Sequence, residues 1–160
     1  MAWMVFLHYQ NYLLLTLMMI TLLITLLVIY EKLGIGLEKV GPGMKFFVNL
    51  PFSIYLGWVT MATIGNISHY LTVSGWDGFG INPKIWAVVM MVVTIVIAEL
   101  TAFNRQDLAY LAVFVWSFIG LAVNHKGVSP LFEAACVSAA IVILITTVTI
   151  IVRPKLQKDH

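Results

Sequence analysis

The chain has 160 residues, 61% of them hydrophobic and only 10% charged; a soluble domain carries about 25% charged residues, so a soluble body on one anchor and a disordered chain are both excluded. Nine Lys and Arg against seven Asp and Glu leave a net charge of +2, too sparse for the dense basic patch that nucleic acid requires. The single cysteine, Cys136, excludes a disulfide framework and any cysteine-rich metal site.

The mean hydropathy of +0.99 makes lipid the solvent, and the charges mark how often the chain crosses it. No Asp, Glu, Lys or Arg occurs in residues 1–30, 46–76 or 134–152, and shorter uncharged runs cover 85–98 and 108–124. A bilayer core of about 30 Å needs about 20 mainly apolar residues per helix, and backbone polar groups in lipid must bond within their own segment. The expected fold is therefore all-α: one polytopic transmembrane domain over 1–160, with five spans at about 5–29, 48–72, 84–103, 107–124 and 130–152.

The first span has neither a basic leader nor a small-residue cleavage site and is too long for a signal peptide, so it is expected to stay in the mature protein. Gly34, Gly36, Gly41, Pro42 and Gly43 punctuate the loop that follows it. Asn82-Pro83 and Ser129-Pro130 supply start signals for the third and fifth helices. With five spans, one side of the membrane holds Lys32, Lys39, Lys45, Arg105, Arg153, Lys155 and Lys158, and the other only Lys84 and Lys126. The positive-inside rule places the richer side, with the carboxy terminus, in the cytoplasm and the amino terminus outside, taking Met1 as the true start.

The second span carries the candidate site. At about 100° per residue, Tyr55, Trp58, Ala62, Asn66 and His69 fall within a stripe about 80° wide. Polar groups at this depth should meet protein, ligand or water, not acyl chains. One reading is packing: Asn, Thr and His bond across helices, and Ala62 and Gly65 allow close approach. The other is a ligand wall, with two aromatic rings to stack a flat apolar molecule and Asn66 and His69 as polar handles.

The stretch 55–66, Tyr-Leu-Gly-Trp-Val-Thr-Met-Ala-Thr-Ile-Gly-Asn, resembles the last-helix motif of the TspO/translocator protein family, whose pattern reads approximately Tyr-Leu-x-Trp-Val-Thr-x-Ala-Thr-x-x-Asn. Trp3, followed by Phe6, is similar to a family Trp that precedes phenylalanines. Here the nearest proline is Pro51, four positions ahead of Tyr55, where the family has one directly before the Tyr. On this alignment the first two helices resemble the family's fourth and fifth. The chain then looks most like the carboxy-terminal part of the longer bacterial tryptophan-rich sensory proteins.

The resemblance implies an integral protein of a bacterial inner membrane that binds porphyrins or related tetrapyrroles, sometimes sterols, for sensing or transport. Light-dependent porphyrin breakdown is attributed to some members. It implies Trp58 and Tyr55 as pocket aromatics and Asn66 as a polar contact, and Ala62, His69 and Trp3 complete the expected ligand-binding set. No cofactor is required, although a porphyrin or haem would be the bound group. The expected partners are membrane lipid, a tetrapyrrole-like small molecule and, as an open alternative, further copies of the chain. The rival reading is a non-enzymatic structural protein whose stripe packs helices or a partner subunit.

Other residues carry less. His8, His69 and His125, with Trp3, Trp76 and Trp86, fall near the outer side, where an axial His could take a haem iron but an interfacial aromatic belt explains the rings as well. Glu99 is an intramembrane carboxylate, expected to pair with Arg105 beyond the helix end or to reach water. Val28-x-Tyr30-x-Lys32 fits a proposed sterol pattern that matches many helix ends by chance. No nucleophile elbow or paired carboxylates appear, so no catalytic or metal-binding residue is assigned.

Overall fold

A computed structural model describes residues 12–38, 40–124 and 130–156 of the chain. Its regular elements are five long helices, with no strand among the described residues: α1 (Tyr12–Lys32), α2 (Pro42–Val73), α3 (Pro83–Arg105), α4 (Leu108–Asn124) and α5 (Pro130–Leu156). Four are long and apolar enough to cross a bilayer, and the 17-residue α4 falls just short by length. The described part of the first span begins at Tyr12, so Trp3 and His8 lie outside it, as does His125.

The second helix starts earlier than the uncharged run implied. Pro42 opens a first turn, and residues Lys45–Asn49 wind as a wide π turn in which the Leu50 N–H bonds back to the Lys45 carbonyl. Pro51, one residue further on, has no N–H to offer the Phe47 carbonyl. A local π adjustment is one way helices in lipid re-satisfy backbone groups freed by proline.

The helices alternate in direction. α1 packs along α2, α2 on α4, α4 on α5 and α5 on α3, and α3 turns back to touch both α2 and α4. Between helices in lipid there is no hydrophobic driving force, so close packing and interhelical polar bonds must hold them. Small side chains provide the close packing: Ala98 and Ala102 of α3, and Cys136, Ala139 and Ala140 of α5, are buried among Leu111, Phe114, Phe118 and Ile143. Cys136 is thus a small packing residue. Gly57 marks the tightest approach of α2 to α4, since a Cβ there would stand 3.1 Å from Val113 Cβ and 3.2 Å from the Tyr110 carbonyl oxygen.

The polar bonds gather at the basic end of the bundle. Gln106, in the left-handed region at φ 52°, lets α3 turn into α4 within two residues. Asp107 then caps α4, its Oδ1 accepting from the Ala109 and Tyr110 N–H groups at 3.1 and 3.2 Å. Its Oδ2 accepts the Tyr30 hydroxyl of α1 at 2.7 Å. Arg105 forms an ion pair with Glu31 and lies 5.7 Å from the Tyr30 ring centroid. The loop after α1 closes over this turn at Gly36 (φ 84°), where a Cβ would fall 2.0 Å from the Arg105 carbonyl oxygen. Only glycine fits there.

One expectation is corrected by this node. Glu99 does not pair with Arg105: its Oε1 accepts the Thr146 hydroxyl of α5 at 3.0 Å, while Arg105 is held by Glu31. The helix continues through Arg105, so the six-residue separation turns the two side chains about 120° apart. Tyr30 is buried against Asp107, which takes it out of any sterol-binding surface at the end of α1. At the opposite end, the Trp86 indole N–H donates to the Gly78 carbonyl at 2.8 Å and its ring stands 4.9 Å from Trp76, as an interfacial aromatic cluster would.

Candidate functional site

Where α3 leans back onto α2 and α4, the three helices leave a groove of about 600 Å³, within the range of small-molecule sites. From α2 it takes Trp58, Met61, Ala62 and Gly65; from α3, Met90 and Met91; from α4, Trp116, Ser117, Gly120 and Asn124. Trp58 is 55% and Trp116 73% exposed, so neither indole is locked in packing. Gly65 and Gly120 keep it wide, since a Cβ at either would meet nothing within 4 Å. The lining is apolar apart from a few groups. Thr94 and Ser68 donate to carbonyls of their own helices, Met90 and Ile64, at 2.7 and 2.9 Å. Ser117 Oγ is buried with no hydrogen-bond partner, and such an atom is costly unless something fills the need.

The expected residues divide. Trp58 and Ala62 are on the groove, whereas Tyr55, Asn66 and His69 are not among the residues that line it. Relative to Trp58, Tyr55 and Asn66 lie about 60–80° to one side of α2, while Met61 and Gly65 lie about 20–60° to the other. Tyr55 is 47% exposed on the outer flank. The Asn66 amide donates to the Ala62 carbonyl of its own helix at 2.8 Å, not to a neighbour. His69 meets the edge of the Tyr12 ring at 4.9 Å and so belongs to the contact with α1. Trp3 lies outside the described residues.

The other half of the wall was missed by sequence reading. Trp116, Gly120 and Asn124 recur every four residues on one face of α4, an aromatic, a gap and a polar group. That spacing was available, but Trp116 reads as ordinary packing until α3 is seen to pass in front of it. Among the described residues, no His or Cys lines the groove and no cluster of His, Cys, Asp and Glu could hold a metal. The arrangement suits a flat ring held by stacking and apolar contact. Among the described residues of the lining, iron ligation would fall to methionine thioethers.

Compared with known proteins, the chain matches the family model described as TSPO-like protein over residues 1–149, and it belongs to that family. The match takes in residues of all five helices, well beyond the stretch 55–66 and the first two spans on which the resemblance was built. No curated protein and no solved structure gives a significant match.

Proposed function

We propose that this TSPO-like membrane protein binds a flat hydrophobic ligand of the tetrapyrrole class in the groove between α2, α3 and α4, for sensing or passage and without covalent chemistry. The observation that carries the reading is the pair of exposed indoles, Trp58 and Trp116, on one apolar space of about 600 Å³ with the unpartnered Ser117 hydroxyl in its wall. Indole faces stack on planar π-systems, and the lone hydroxyl supplies the kind of placed polar group that fixes orientation. The family gives the ligand class. The excess of cations at the basic end, with Lys32, Lys45 and Arg105, supports reading that end as the cytoplasmic side, and the family resemblance supports a bacterial inner membrane.

The rival reading, in which the polar stripe of α2 glues helices together, has little support at its central residue, because Asn66 bonds within its own helix. The test is a titration of the full chain in detergent with a porphyrin, followed by absorbance and tryptophan quenching. Trp58→Ala and Trp116→Ala should each weaken binding about 3- to 10-fold, the worth of one aromatic contact. Equal affinity in the wild type and both variants removes the groove as the site.

A further inference from the structure

A second cavity, of about 770 Å³, opens at the basic end between the loop after α1, the π turn of α2 and the α3–α4 turn. Its wall includes Glu38, Lys45, Phe46, Asn49, Arg105 and Asp107. Two cations and two carboxylates make the lining formally neutral, but they are not equally available. Asp107 is spent on the Tyr30 hydroxyl and two backbone amides, and Arg105 on Glu31. Lys45 and Glu38 are exposed and have no ion-pair partner among the described residues.

The same wall holds a buried acceptor. Asn49 closes the π turn, is only 9% exposed, and its Oδ1 has no hydrogen-bond partner. One open cation, one open anion and one desolvated oxygen that lacks a donor together specify the complementary ligand: a zwitterion with an anionic group for Lys45 and an N–H-bearing cation for Glu38 and Asn49. π turns inside helices often mark functional positions, and pockets at the cytoplasmic ends of transmembrane helices are places where lipid head groups bind. Phe46 and Phe47, 63% and 77% exposed at the same turn, offer an apolar landing for acyl chains.

We propose that this cavity binds the head group of a phosphoethanolamine lipid, with the phosphate on Lys45 and the primary ammonium donating to Asn49 Oδ1 and Glu38. The assignment is independent of the tetrapyrrole groove. A choline head group carries the same charges but no N–H, so it cannot satisfy Asn49.

The test is native mass spectrometry of the full chain, delipidated in detergent. It is titrated with lipids of identical acyl chains bearing ethanolamine, choline or glycerol head groups, and separately with free phosphoethanolamine. The ethanolamine lipid should bind about tenfold tighter than the choline lipid, the worth of a hydrogen bond to a charged donor. Asn49→Leu should bring the ratio close to one without changing choline-lipid affinity. Glu38→Gln, a near-isosteric change at an exposed side chain, should reduce the ratio as well. Equal binding of the ethanolamine and choline lipids, a preference for the glycerol lipid, or a ratio untouched by both variants would overturn the site. Displacement of the lipid by an equal concentration of free phosphoethanolamine would overturn its assignment to lipid.

Discussion

The node at the basic end allows a quantitative test. Tyr30 of α1 donates to Asp107 at 2.7 Å across 77 positions of sequence, and the same carboxylate caps α4 through two amides. Asp107→Asn keeps an N-capping oxygen but removes the charge, whereas Asp107→Ala removes the cap as well, at about 0.5–2 kcal/mol more. In water a hydrogen bond to a charged group contributes about 1.5–3 kcal/mol. Between transmembrane helices measured couplings average about 0.6 and reach about 1.7 kcal/mol, because the unfolded chain in the membrane also finds partners. Asp107 is only 8% exposed, which argues for the upper part of that range. A double-mutant cycle of Tyr30→Phe and Asp107→Asn should therefore give a coupling of about 1–2 kcal/mol. The assay is unfolding of the full chain in mixed micelles of increasing denaturing detergent. Additive single effects, each below about 0.5 kcal/mol, would show that the two side chains do not meet and that α1 is placed wrongly against the α3–α4 turn.

Further outcomes follow from the same geometry. Gly120→Leu should abolish porphyrin binding with little loss of stability, because its side chain enters open space rather than packed neighbours; the check is titration beside thermal unfolding. Porphyrin with and without iron should bind within about threefold, since no His or Cys among the described residues faces the groove, and a difference above about tenfold would point to an axial ligand elsewhere. Gly36→Ala should destabilise the fold by about 2 kcal/mol or more in the same unfolding assay, from the clash with the Arg105 carbonyl and the strain of φ 84°. Asn66→Leu should change stability by less than about 1 kcal/mol, because it removes only a bond to its own helix.

Much of the architecture was legible because lipid leaves few options: uncharged runs had to be helices, and prolines at 83 and 130 stand at the first positions of α3 and α5, whereas Pro42, read as loop punctuation, opens α2. What periodicity does not carry is which helix faces which. The stripe through Tyr55, Trp58 and Asn66 is real on α2, yet the groove is rotated toward Met61 and Gly65, because its orientation is set by where α3 lands. Trp116 needed the same knowledge. The partner of Arg105 was hidden for another reason: Glu31 lies 74 positions away, while Glu99, near in sequence, is turned to the far side of the helix toward Thr146.

The clamp around Gln106 and Asp107 makes one joint of three helices. Glu31 and Tyr30 fasten the short elbow between α3 and α4 to α1, so a load on any one of the three reaches the other two through a single riveted corner.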